Sequence, residues 1–244
     1  VSVYDLYEYD IAKDEEKQLT SNRRSYYPSY SKDGTKIAYV VNKDGTLNLE
    51  IADANGKNPV RLTFFDNGEQ VFNPKFAPDG NSIYFDYAYE NNRDIAVMDI
   101  ETKNMEFLIE DPNIDSRTPV VSPDGKKLYF ASDRTGIFNI YSYDLDSGDI
   151  KQVTNVLGGA FMPSVDGNGN LTFASFQPTG YKISLLNNYT EHDVNTLGNY
   201  NRPEKLVNKY ANPDSLSAVG KNNFQWDSLK NFNDKIIPEY KVKP

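Results

Sequence analysis

The sequence contains no cysteine, a single histidine and a single tryptophan in 244 residues. Lack of cysteine excludes disulfides, thiol catalysis and cysteine-ligated zinc or iron–sulfur sites. One histidine excludes the paired histidines of a His-Glu-x-x-His zinc site. No stretch approaches the roughly 20 apolar residues of a membrane helix, and no signal peptide is visible. Basic residues are also scarce: 26 Lys and Arg stand against 35 Asp and Glu, a net charge of −9. Nucleic acid and anionic lipid are therefore poor partners, since both need a basic surface. Most of this acidity reads as a solubility device.

Aromatic side chains are plentiful, with 18 Tyr and 13 Phe. They suit half-buried strand surfaces and point to an aromatic core. They also recur in a repeated phrase. Pro28 to Tyr39 (PSYSKDGTKIAY) returns at Pro74–Phe85 (PKFAPDGNSIYF) and Pro119–Phe130 (PVVSPDGKKLYF), with a degraded copy at Pro163–Phe173. The leading prolines at 28, 74, 119 and 163 set a period of 44 to 46 residues. A period near 40–50 built of strands is the signature of a β-propeller.

Each repeat reads as four strands. The first surrounds the proline, and an Asp-Gly pair turns the chain because Gly accepts positive φ. The second strand is apolar on both faces, as in Lys127–Ser132, so both faces should be buried. The third ends on a side-chain acceptor at Asp10, Asp53, Asp99, Asp144 and Asn187. The fourth closes on Leu19-Thr20, Leu62-Thr63, Leu108-Ile109 and Val153-Thr154. The expected fold is all-β: a propeller of four-stranded antiparallel blades with an irregular C-terminal tail. About four to five blades are represented: a partial first, complete ones near 26–63, 72–109 and 117–154, and a weaker last one from Phe161. The propeller is expected over 1–207 and a linker or loosely packed tail over 208–244. Arg202–Leu206 is a candidate late fourth strand, and Trp226 and Phe232 are candidate anchors of the tail. An open arc exposes blade faces and strand edges, so the sequence is expected to be part of a longer ring of four to eight blades; the alternative is that residues 188–244 complete the ring.

The phrase Pro-x-x-Ser-Pro-Asp-Gly-Lys-Lys-Leu-Tyr-Phe-Ala-Ser-Asp-Arg-x-Gly at 119–136, with Asn139–Asp144 and Val153-Thr154 after it, resembles the repeat of TolB-like propeller proteins. The likeness extends over about residues 4–187. It implies a six-bladed or similar ring in the bacterial periplasm or at the outer membrane, with protein partners and no direct membrane insertion by this segment. Tyr240–Lys243 resembles, in flavour, the stretch that precedes an outer-membrane barrel in some large envelope proteins. Prolyl-oligopeptidase-type serine peptidases carry related blades as a lid.

Chemistry is sparse. His192, between Glu191 and Asp193, is expected to be an exposed loop residue. No Gly-x-Ser-x-Gly elbow is present. Asp144–Asp149 has the oxygens of a calcium loop but lacks the spaced glutamate, and reads as a turn. The acidic loop of Glu110, Asp111 and Asp115 reads as solvated. No catalytic, cofactor or metal residue is expected. The loops before each repeat carry the aromatics and arginines that anchor protein interfaces. Arg23, Arg24, Tyr26, Phe64, Phe65 and Arg117 are the candidate partner-binding residues. The expected function is a non-catalytic module that binds another protein of the cell envelope. The alternative is the lid of a serine peptidase whose catalytic domain lies elsewhere.

Overall fold

The fold follows from where the repeat places its turns. The computed structural model describes residues 3–90 and 92–194. Expectations for the late strand at 202–206, for Trp226 and Phe232 and for Tyr240–Lys243 fall outside these residues. Strands β1 (Tyr7–Asp10) and β2 (Glu15–Gln18) form an opening pair. Blade I comprises β3 (Ser25–Tyr30), β4 (Lys36–Lys43), β5 (Thr46–Asp53) and β6 (Val60–Arg61). Blade II comprises β7 (Gln70–Phe76), β8 (Ser82–Tyr89), β9 (Asn92–Asp99) and β10 (Met105–Ile109). Blade III comprises β11 (Ser116–Val121), β12 (Lys127–Ser132), β13 (Asn139–Asp144) and β14 (Ile150–Gln152). Blade IV has three strands, β15 (Ala160–Val165), β16 (Leu171–Gln177) and β17 (Gly180–Leu186). Every pairing is antiparallel, and the blades are arranged as a β-propeller. The first strands β3, β7, β11 and β15 pack against one another in turn and so line the axis.

Each Asp/Asn-Gly bend joins the first and second strands of its blade. The glycine N–H donates three residues back, as Gly34 does to the Ser31 carbonyl (2.9 Å) and Gly125 to that of Ser122 (2.9 Å). The Asp carboxylate accepts the N–H two residues on, at 3.1 Å for Asp33 and Thr35. These bonds, with the Ser31 and Thr35 hydroxyls, hold the Asp33 carboxyl down at about 2.

The core lies between blades rather than within them. Leu49 of blade I is buried with Val71 and Ile83 of blade II. Ile95 of blade II is buried with Leu128 and Phe130 of blade III. Ile140 of blade III is buried with Ala160 and Phe173 of blade IV. The corresponding residue of the last third strand, Ile183, is 88% exposed, against 0% for Leu49, Ile95 and Ile140. No described residue covers it. Each fully buried side chain of this size contributes about 1.5–3 kcal/mol, so the spacing between blades carries most of the apolar stabilisation.

A polar staple fastens fourth strands to third strands. The Thr154 hydroxyl accepts the Ile140 N–H (2.8 Å) and donates to Asn139 Oδ1 (2.9 Å), which also accepts the Val156 N–H (2.9 Å). Thr63 repeats this with Leu49 and Asn48, and Thr20 with Leu6 and Asp5. In blade IV the residue at the Asn48 and Asn139 position is Lys182, which has no acceptor for such a bond. The described chain makes no fourth strand there. Instead it returns to blade III, where β18 (His192–Asp193) pairs with the outer edge of β14. This corrects the reading of His192 as an exposed loop residue: it is a half-buried strand residue opposite Gln152. Its flanking carboxylates are occupied, Glu191 by Lys127 at 2.6 Å and Asp193 by Lys151.

A second lock joins blades II and III. Asp86 on β8 is fully buried, and accepts from Asn73 Nδ2 (2.8 Å), Arg93 (3.2 Å) and the Thr118 N–H of β11 (2.7 Å). Burial outweighs the three donors and the Arg93 charge and raises its carboxyl to about 7.

Two measurements test these locks. Replacing Thr154 by Val keeps the shape but strands buried polar groups, and is expected to cost about 1–3 kcal/mol in urea unfolding. An unchanged midpoint would remove the staple from the account. For Asp86, the native state binds more protons than the unfolded one between the ordinary value of 3.8 and about 7. Its contribution therefore favours the fold at low pH and is lost as pH rises through that window. Asp86→Asn is expected to flatten the stability profile between about pH 4 and 7 relative to wild type; parallel profiles would refute a titrating Asp86.

Candidate functional site

In an antiparallel blade, the start of the first strand, the end of the second and the start of the third meet at one end. All four blades turn that end to the same mouth of the ring. The residue two before each repeat proline stands there: Tyr26, Phe72, Arg117 and Phe161. A bulge follows each of them, with one extra residue on the first strand between Tyr26 and Ser29, Phe72 and Lys75, Arg117 and Val120, and Phe161 and Ser164. The residue before each proline then takes positive φ: Tyr27 at 54°, Asn73 at 48°, Thr118 at 55° and Met162 at 53°. Non-glycine residues seldom adopt this region, least of all a β-branched one such as Thr118. Bulges of this kind re-aim the side chains beside them. Here the bulge separates the mouth-facing half of each first strand from its axial half.

The re-aimed residues join into two aromatic runs. Tyr4, Tyr26, Tyr27 and Phe72 follow one another at centroid distances of 5.3, 6.2 and 5.8 Å, and the Arg93 guanidinium caps Phe72 at 3.9 Å. Arg117 lies 4.5 Å over Phe138, which leads to Phe161 (5.1 Å), Tyr181 (6.1 Å) and Phe176 (5.1 Å). The buried Asp86 cluster sits between the runs and holds Arg93 in place. Arginine stacked on a ring keeps its outer N–H groups available to an incoming acceptor.

Of the six partner-binding candidates read from the residue order, the structure brings Tyr26 into the first run and Arg117 into the second. Arg117 also pairs with Asp115. Arg23 is half-buried and bonds Glu50 at 2.5 Å, and Glu50 in turn accepts from the buried Tyr39 hydroxyl at 3.0 Å. Burial, with Glu50 beside it, pushes the Tyr39 hydroxyl well above the usual tyrosine range. Arg24 is exposed, with positive φ. Phe65 belongs to a third, separate group with Tyr87 (5.5 Å) and Phe107. Phe64 is 68% exposed and joins none of these groups; Arg61 and Lys103 approach its ring at 5.6 Å. Sequence reasoning missed Phe72, Arg93, Phe138, Phe161 and Tyr181. Phe72 and Phe161 were legible as the residues two before the repeat proline. Phe138 and Tyr181 stand where the third strands of blades III and IV begin; each blade's own sheet sets them beside Arg117 and Phe161, and only the packing of blade IV on blade III joins Phe138 to Phe161.

The acidic loops singled out in the sequence are engaged in structure. Burial raises the Asp94 carboxyl, against the Asp111 N–H that it accepts at 3.2 Å, and Glu110 and Asp111 add to the rise. Asp144 caps its own turn by accepting the Asp146 and Ser147 N–H groups. Among the described residues no group of three or more His, Cys, Asp or Glu is placed to hold a metal ion.

Comparison with known proteins agrees with this architecture. The Tol-Pal system protein TolB of Bordetella pertussis is 26% identical, over 47% of this chain and 36% of that protein. An uncharacterized protein of Agrobacterium fabrum is 25% identical, over 69% of this chain and 56% of its own length. The crystal structure of TolB from Acinetobacter baumannii superposes with a TM-score of 0.65 at 26% identity, over 78% of this chain and 48% of that one. Puromycin hydrolase shares the fold alone, with a TM-score of 0.57 at 15% identity, over 72% of this chain and 29% of that one. The chain thus spans about a third to a half of the length of the curated relatives named here. The family model of the TolB beta propeller domain matches residues 2–204, and the chain belongs to that family.

Proposed function

We propose that this chain is a non-catalytic interaction module of a bacterial cell envelope. The propeller over 1–207 presents its mouth to a protein partner, and 208–244 serves as a linker. The observation that carries this reading is the pair of aromatic runs at the mouth, each with an arginine stacked on a ring. Tyr, Phe and Arg are enriched at protein interfaces because they bring large rigid contact areas at low entropic cost. The chemistry around them is that of a docking surface. The only histidine is on β18, at the outer edge of blade III, and its neighbouring carboxylates pair with lysines. Relatives named as Tol-Pal system proteins support the periplasmic side of the envelope as the compartment.

The test uses the chain as bait in envelope extracts, followed by affinity measurement with the captured protein. Phe161→Ala and Arg117→Ala are expected to weaken that complex by about tenfold or more each, as truncated hot spots do. Phe64→Ala, outside the runs, is expected to leave it within about twofold. Equal affinity for all three variants, with their unfolding midpoints unchanged, would refute the mouth as the interface.

A further inference from the structure

The opposite end of the axis carries a different kind of surface. There the axial halves of β3, β7 and β11 run into the Asp-Gly turns. The residue after each repeat proline, Ser29, Lys75 and Val120, occupies the same register on three adjacent first strands. Together with Tyr30, Lys32 and Pro123 they line a cleft of about 300 Å³. The remaining lining is apolar, and no carboxylate is part of it. In a chain of net charge −9, this cleft is lined by two lysines and no acid.

The two lysines are unspent. Among the described residues, Lys36 is paired with Asp53, Lys127 with Glu191 and Lys151 with Asp193, whereas neither Lys32 nor Lys75 has an ion-pair or hydrogen-bond partner. The turn carboxylates nearest in sequence are occupied: Asp33 by the Ser31 and Thr35 hydroxyls and Asp79 by Asn81. The Tyr30 hydroxyl donates to Glu8 at 3.3 Å. Lys75 reaches solvent, yet the walls of the cleft strip part of its hydration shell. This lowers its ammonium below the ordinary lysine value, with no opposing charge to restore it.

The geometry points to a binding site for a small organic anion with an apolar chain, its charged group between Lys32 and Lys75 and its chain along Val120 and Pro123. A carboxylate there would restore the charge balance that Lys75 lacks and accept from both ammonium groups. The apolar wall would cover a short alkyl chain, as ligand clefts of this size do. The site is at the other end of the axis from the mouth, so it stands whether or not the mouth binds protein.

Calorimetric titration of the full chain with octanoate tests it, beside octanol and inorganic phosphate. Saturable octanoate binding is expected, with octanol and phosphate each weaker because each supplies one half of the recognition. Lys75→Met and Lys32→Met should each weaken octanoate by about fivefold or more, and Lys75→Arg should retain it within about twofold. Lys32 lies in an exposed turn, so its variant reports on binding even if the Lys75 variant folds poorly. No saturation by about 10 mM octanoate, or equal affinity for wild type and both Met variants, would overturn the site. Phosphate binding as tightly as octanoate would overturn its apolar half.

Discussion

A sheet that is apolar on both faces must be covered on both. The rest of this protein depends on that constraint. Leu49, Ile95 and Ile140 each sit on the face turned to the following blade, and each is fully buried by it. Blade follows blade because each leaves such a face open. The ring is the arrangement that lets many similar sheets satisfy one another with only short edges left. Ile183, at the same place on the last described third strand, shows the requirement in isolation: with no blade among the described residues over it, it is 88% exposed.

Polar groups decide details that burial leaves open. Burial alone is non-directional and would tolerate several registers between third and fourth strands. The Thr–Asn staples select one, since a buried carbonyl or N–H without its partner is costly. Where Lys182 replaces the staple's Asn, the described chain leaves the blade and pairs β18 with β14 instead. The Asp86 cluster acts at a larger scale. It ties the bulge of blade III to the second strand of blade II and fixes Arg93 over Phe72. A charge buried for structural reasons thus also orients part of the mouth.

The two ends of the axis divide the chemistry between them. The bulge beside each repeat proline separates residues that face the mouth from residues that line the axis. Two positions before the proline, the sequence offers aromatic or arginine side chains for stacking. One position after it, it offers Ser29, Lys75 and Val120 for the axial cleft. The repeat period therefore sets the fold, and departures from the repeat at these two positions give each end its character.

Much of the architecture was legible in the residue order. The 44- to 46-residue period, the Asp-Gly bends and the closing Leu-Thr pairs are local signals, and local signals survive in a single sequence because they act through neighbouring backbone atoms. The candidate site was legible in part: Tyr26 and Arg117 belong to the aromatic runs, Phe64 does not. Phe138 meets Arg117 within blade III, but its contact with Phe161 of blade IV, like that of Tyr27 with Phe72 of blade II, is made only by the packing of one blade on the next. The bulges and the return of β18 were likewise hidden, because they arise from pairing between segments far apart in the chain. Sequence determined that blades form and where each one turns, since hydrophobic period and turn residues act locally. Only the tertiary structure decided which side chains meet across blades, since that depends on packing distances no single strand contains.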